Sequence, residues 1–281
     1  MNTMRNKSRY CFSSSILFLF LLVMAVSACN SGSNGNQNRK NYVITIAGST
    51  SVMPFTEKLA EYFMIDHSNY SINVQGGGST AGIQSCLNKT SDIGMSSREL
   101  KEDEKELNKI VICYDGIALV TNRNNPVEAL SLQQVKDIFN GKITNWKELG
   151  WIDRKIDAVT REEGSGTRSS FEDLVMQKDS IDDGIMVQDS NGSVKEVVAT
   201  DPYAIGYISL GLVDKRVKAV IIDGVSPSIM NIKQKKYKIF RPFLYLTNGY
   251  PQNEVKKFIE YVLSHEGQSV LKREGLVSIN D

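Results

Sequence analysis

Apolar positions in this chain follow two alternating periods. Residues 42–47, 71–75, 110–113, 117–121, 156–159, 204–208 and 219–222 are short runs rich in Val, Ile and Tyr, the signature of buried strands. Between them lie residues at helical spacing: Val52, Phe55, Leu59, Tyr62 and Phe63; Ile83 and Leu87; Leu132, Val135, Ile138 and Phe139; Val255, Phe258, Ile259, Val262 and Leu263. Ser131 with Gln134, and Ser193 with Glu196, read as capping boxes opening helices. Residues 92–98 read as a further short strand, and 99–109, mixing both charge signs, as a solvated helix face without chemistry. Residues 237–247 form a long apolar run. Alternation of strand and helix predicts an open α/β sheet, in which ligands collect outside the carboxyl ends of the strands.

Three of the strand-to-helix junctions share one composition. Gly48-Ser49-Thr50-Ser51, Gly76-Gly77-Gly78-Ser79-Thr80 and Arg161-Glu162-Glu163-Gly164-Ser165-Gly166-Thr167 each join glycine to hydroxyl residues just before a helix. Glycine lets the backbone approach a ligand closely, and the first amides of a helix lack intrahelical partners and sit at the positive end of its dipole. Hydroxyls add donors, and Arg161 adds a planar fork that fits a carboxylate or a tetrahedral oxyanion. Arg98, after the 92–98 strand, is a second candidate charge. Convergent helix starts rich in hydroxyls and poor in lysine suit a small enclosed oxyanion.

The N-terminus changes the picture of where the chain works. Arg5, Lys7 and Arg9 precede an apolar core at 16–26, shorter than a bilayer span and of signal-peptide length. Val26-Ser27-Ala28-Cys29 resembles a lipoprotein box in which Cys29 carries the lipid; cleavage after a small residue is the plainer alternative. Residues 30–40 are mostly Asn, Ser, Gly and Gln, a flexible tether. The formal net charge of +1 over 281 residues signals no steering toward nucleic acid or anionic lipid. Of the four cysteines, Cys86 and Cys113 fall in the folded body, either as two buried thiols or as a bridge.

Other chemistries lack material. No glycine turn runs into the Lys-Ser/Thr pair of a phosphate loop, and no His/Cys/carboxylate cluster has metal-ligand spacing. Gly77-Gly78-Ser79-Thr80-Ala81 approaches a hydrolase nucleophile elbow, but its last glycine is alanine. The only histidines, His67 and His265, are far from any glycine turn.

Taken in order, Ala47-Gly48-Ser49-Thr50-Ser51, Gly77-Gly78-Ser79-Thr80-Ala81-Gly82, Gly94-Met95-Ser96-Ser97-Arg98, Phe139-Asn140-Gly141-Lys142-Ile143-Thr144-Asn145-Trp146 and Arg161-Glu162-Glu163-Gly164-Ser165-Gly166-Thr167 resemble the phosphate-binding lipoproteins of bacterial ABC phosphate importers. The likeness spans 42–280 and points to the family's shorter branch. It implies a two-lobed periplasmic-binding-protein-like α/β fold of type II, each lobe a mostly parallel sheet flanked by helices, with two hinge crossings near Asp115-Gly116 and 237–247. The implied organisation is a signal peptide at 1–28, lipidated Cys29 and tether at 29–40, one lobe from 41–118 with 238–281, and a second from 119–237.

The resemblance further implies that Ser49, Thr50, Ser51, Ser79, Thr80, Ser97 and Arg98 meet phosphate from one lobe, and Arg161, Ser165, Gly166 and Thr167 from the other. Glu163 matches the acidic position that orients the arginine. Where longer members carry a proton-accepting aspartate, this chain has Ser97. The implied protein is a non-enzymatic, monomeric receptor, without cofactor or metal, anchored outside the cell membrane and handing inorganic phosphate to a permease and its ATPase. Rival readings are a binder of sulfate or molybdate, a Ser79-dependent hydrolase, and an adhesion or signalling lipoprotein that keeps the fold without the ligand.

Overall fold

Where the strands stop is set by glycine and by the hydroxyl turns that follow. In the computed structural model, which describes residues 40–281, β1 (Tyr42–Gly48) ends on a glycine at φ 139°. A Cβ there would lie 2.3 Å from the carbonyl of Met95, so only glycine permits the contact. The chain turns and enters α1 (Met53–Asp66), with Pro54 in its first turn, and buries Phe55, Leu59, Ala60 and Phe63. β2 (Tyr70–Gly76) leads through Gly77-Gly78 into α2 (Ser79–Leu87), and β3 (Ile93–Ser96) follows. Both β2 and β3 pair with β1 in parallel, which brings their carboxyl ends to one side of the sheet.

The signal segment, Cys29 and tether positions 30–39 lie outside the described residues. The expected helix at 99–109 is replaced by a single 3-10 turn, Glu102–Glu104, because Glu104 is drawn inward to Arg98. The expected pair of strands at 110–113 and 117–121 is one strand, β4 (Asn108–Asn122), which runs uninterrupted through Tyr114-Asp115-Gly116.

β4 is shared by both halves of the molecule. One half holds the order β2-β1-β3-β11-β4, where β11 (Phe240–Thr247) is antiparallel to β3 and β4; the other holds β4, then β8 (Ala204–Ser209), β6 (Asp157–Arg161) and β7 (Met186–Gln188). In the second half β5 (Ala129–Leu130) precedes α3 (Leu132–Phe139), capped by the Ser131/Gln134 box. Then come β6 (Asp157–Arg161), α4 (Gly166–Phe171), a π turn at Glu172–Met176, β7 (Met186–Gln188), α5 (Asn191–Thr200) and β8 (Ala204–Ser209). The cap of α5 is Ser190, which accepts from the Ser193 amide; Ser193 itself lies inside the helix, one turn past the expected boundary. β6 is parallel to both β7 and β8, so these carboxyl ends also share a side.

β9 (Val217–Ala219), β10 (Ile221–Ile222) and α6 (Ile229–Lys233) precede β11. α7 (Asn253–Leu263), α8 (His265–Arg273) and β12 (Val277–Ser278) return to the first half. Each half has its own core. Ile44, Ile46, Leu59, Phe63, Phe243 and Phe258 centre the first; Phe139, Trp146, Phe171, Ile205 and Tyr207 centre the second. Every fully buried aliphatic side chain among these contributes about 1.5–3 kcal/mol. Cys86 and Cys113 are both buried free thiols, and burial raises the pKa of each.

Candidate functional site

The site forms where the two sets of carboxyl ends face each other. From the first half come Ser49, Thr50 and Ser51 after β1, Ser79 at the start of α2, and Ser97 after β3; from the second come Arg161 at the end of β6 and Ser165, Gly166 and Thr167 at the start of α4. Ser49, Ser51, Ser79, Ser97, Arg161, Ser165 and Thr167 are all buried.

The hydroxyls are wired to one another. Ser49 Oγ donates to Ser97 Oγ at 2.9 Å, Ser97 Oγ lies 3.3 Å from Ser79 Oγ, and the Ser97 amide donates to Ser79 Oγ at 3.0 Å. Across the junction, Ser51 Oγ lies 2.7 Å from Thr167 Oγ1, the Thr80 amide donates to the Gly164 carbonyl at 3.0 Å, and Ser170 Oγ donates to the Ser97 carbonyl at 3.1 Å. The lobes are therefore closed on each other. A Cβ on Gly166 would sit 2.2 Å from Ser79 Oγ and 2.6 Å from Ser97 Oγ, so this closeness requires glycine at 166.

Arg161 is the charged centre, only 1 % exposed. Its Nε and Nη2 donate to the two oxygens of Glu162, each at 2.9 Å; Nη2 also donates to Thr50 Oγ1 at 3.1 Å and to the Asp189 carbonyl at 3.2 Å. Its Nη1 is buried and has no hydrogen-bond partner among the described residues. Such an orphan donor is costly unless a ligand completes it, and a cationic nitrogen with two N–H bonds to give is matched by an oxyanion. The backbone behind it is fixed, since the Arg161 amide donates to Tyr207 Oη, whose ring stacks on Phe171 at 4.0 Å. Burial pushes the Tyr207 pKa up to about 12, keeping it a neutral partner.

Three residues expected at the site are placed otherwise. Glu163 is exposed, and the carboxylate orienting Arg161 is Glu162: the strand ends at Arg161, so the alternation that would align 161 with 163 stops there. Arg98 is buried but its terminal nitrogens grip Glu104 at 2.7 and 2.8 Å, with Nη2 also reaching Thr80 Oγ1 at 3.3 Å. Thr80 thus belongs to the Arg98 pair and the lobe contact rather than to the hydroxyl cluster.

Four further residues complete the polar junction and were not expected from the sequence. Arg241 on β11 pairs with Asp115 on β4 at 3.1 Å and donates through Nη2 to Ser51 Oγ at 3.2 Å. Asn191, opening α5, donates to Ser51 Oγ at 2.8 Å, and Ser209 donates to Asp115 Oδ1 at 2.8 Å. Burial raises the Asp115 pKa against the pull of Arg241, and burial also lowers that of Arg241. The available signal was a charge within an apolar run at both 115 and 241. His67 is stacked on Phe63 at 4.1 Å and bonded to its carbonyl, so it is engaged away from Ser79. No group of three or more His, Cys, Asp or Glu with metal-binding geometry occurs among the described residues.

Comparison with known proteins places this geometry. A PBP superfamily domain is matched over residues 27–266. The chain is 33 % identical to the phosphate-binding protein PstS of Bacillus subtilis (strain 168), over 95 % of this chain and 93 % of that one. It is 30 % identical to PstS of Borreliella burgdorferi, over 87 % and 92 %. Among solved structures, a phosphate ABC transporter substrate-binding protein with bound phosphate from Clostridium perfringens is similar at 44 % identity and TM-score 0.82, over 84 % of this chain and 99 % of that one. A phosphate transport receptor from Vibrio cholerae is similar at 38 % identity and TM-score 0.69, over 84 % and 99 %.

Proposed function

The chain belongs to the PBP superfamily and, within it, to the PstS phosphate-binding proteins, and from that premise we propose that it is an extracytoplasmic receptor that closes its two lobes around inorganic phosphate and delivers it to an ABC importer. The observation that carries this reading is the buried Arg161 Nη1, without a hydrogen-bond partner among the described residues, on a guanidinium whose Nη2 bonds Thr50 of the other lobe. In the proposed complex Arg161 and Thr167 donate from one lobe and Ser49, Ser79 and Ser97 from the other, with Ser51 bonded to Thr167 and with Thr50 and Glu162 holding the arginine. Ser165 caps α4 by accepting from the Arg168 amide, which leaves its hydroxyl proton for the anion. Charge-assisted hydrogen bonds of about 1.5–3 kcal/mol each supply the roughly 8 kcal/mol of micromolar binding after association costs.

The lobe boundaries proposed are 41–118 with 238–281 and 119–237, hinged where β4 and β11 pass between the halves. Cys29 is the proposed lipid attachment, holding the receptor at the outer face of the cell membrane beside its permease. No covalent chemistry is assigned to Ser79, whose oxygen accepts from the Ser97 amide.

A second reading, sulfate or molybdate on the same scaffold, is favoured by one feature. The carboxylates tied to the hydroxyl cluster, Glu162 through Arg161 and Asp115 through Arg241, are each committed to an arginine, so neither is a free acceptor that would select protonated phosphate over ionised sulfate. Calorimetric titration with phosphate, sulfate and molybdate tests both. Saturable heat with phosphate alone supports the first reading; heat with sulfate or molybdate and none with phosphate overturns it.

A further inference from the structure

Ser51 Oγ is served from three sides. Asn191 Nδ2 lies at 2.8 Å, Arg241 Nη2 at 3.2 Å and Thr167 Oγ1 at 2.7 Å. The orientation of the Asn191 amide follows from its other end, where Oδ1 accepts from the Ser209 backbone N–H at 3.0 Å; the nitrogen must therefore face Ser51. An arginine nitrogen can only donate. A hydroxyl has two lone pairs and one proton, and here both lone pairs are taken. The Ser51 proton is left a single destination, Thr167 Oγ1. Thr167, having accepted it, must send its own proton elsewhere.

We propose that Asn191 and Arg241 are positioning residues for the bound oxyanion: by filling both acceptor sites of Ser51 they drive its proton onto Thr167 and make the Thr167 hydroxyl an obligatory donor to the anion. The proposal rests on the oxyanion reading of the site and adds to it the part that sets donor direction. Both arms begin at Ser209, whose amide orients Asn191 and whose hydroxyl donates to Asp115, the carboxylate that holds Arg241. Asp115 and Arg241 are register partners on β4 and β11, the two strands that pass between the halves, and Arg241 Nη1 is itself buried without a hydrogen-bond partner among the described residues. Asn191 and Thr167 belong to one half and Ser51 to the other. Opening the lobes separates Ser51 from both and frees the Thr167 rotor, so closure and donor alignment happen together.

The test is a double-mutant cycle read by calorimetry on the full chain, with phosphate, sulfate and molybdate as probes and the cycle evaluated with the oxyanion that wild type binds. Asn191→Ala is expected to weaken binding by about tenfold in the wild-type background and by less than about twofold in Thr167→Val, because its effect passes through Thr167. Asn191→Asp, which keeps the volume and the Ser209 acceptor while removing the donor, is run in the same cycle should the alanine variant fold poorly. Thermal melting of the unliganded variants shows whether fold is retained. An equal loss in both backgrounds, or wild-type affinity for Asn191→Ala, overturns the relay. Sulfate or molybdate binding without phosphate binding overturns the phosphate reading while the cycle still judges the relay; no binding of any oxyanion overturns both.

Discussion

Arg98 and Arg161 look alike in sequence and differ in what the fold leaves them to do. Both stand at the carboxyl end of a short strand beside hydroxyl turns, both are buried, at 4 % and 1 % exposure, and both hold a carboxylate. Glu104 grips Arg98 across its two terminal nitrogens, leaving the single N–H of Nε without a partner among the described residues. Glu162 grips Arg161 along the Nε–Nη2 edge, which leaves Nη1 and its two N–H bonds directed away from the pair. The edge a carboxylate occupies therefore separates an arginine that fastens the fold from one that can receive a ligand. Exposure of the partner agrees: the Glu104 side chain is 6 % exposed, whereas that of Glu162 is 28 % exposed and can hydrate if its arginine is lost.

This contrast is most sharply broken by removing each arginine in turn. Arg98→Ala strands Glu104 as an uncompensated buried charge and is expected to lower unfolding stability by about 3–5 kcal/mol, measured by urea denaturation; the double variant Arg98→Met with Glu104→Leu should recover most of that loss. Arg161→Ala should do the reverse, weakening phosphate binding by more than about tenfold in calorimetry while leaving the urea midpoint nearly in place. If both variants lose stability equally and binding equally, the distinction fails.

Gly166→Ala sharpens the second half of the comparison, since Arg161 acts only if the lobes can shut. The added methyl meets Ser79 and Ser97 oxygens and should hold the lobes apart, weakening phosphate binding by about tenfold with little change in melting temperature. The smallest expected effect is a pH dependence. The Arg98 hydrogen bond holds the Glu104 carboxyl below its ordinary value of 4.5, so the folded state binds fewer protons than the unfolded one. Its stabilising contribution is fully present above about pH 4.5 and is lost as pH falls through the lowered folded value. Wild type should accordingly lose stability on acidification more steeply than the Arg98→Met, Glu104→Leu variant, as followed by urea denaturation from pH 6 to about pH 3.

Much of the site was legible because its signals are local. Glycine followed by hydroxyl residues at 48–51, 77–80 and 164–167 announces a strand stop, a close approach and a helix start, and parallel pairing within each half gathers its turns where the two halves meet. What was not legible depends on where a strand ends or on which strands become neighbours. The resemblance pointed to Glu163 as the partner of Arg161, but the chain leaves the sheet at Arg161 and Glu162 takes the contact. A mixed-charge run at 99–109 has the composition of a solvated helix, and only the burial of Arg98 explains why Glu104 turns inward. Asp115 and Arg241 each stand out as a charge within apolar surroundings, yet their pairing needs the β4–β11 register, which no local pattern contains.

The most direct test of the central claim, that the lobes close on an oxyanion at Arg161, is a phosphate titration of the full chain beside its Arg161→Met variant, with small-angle scattering before and after saturation. The account predicts a single-site isotherm and a compaction for wild type, and neither for the variant. The same isotherm and the same compaction in both proteins would contradict it.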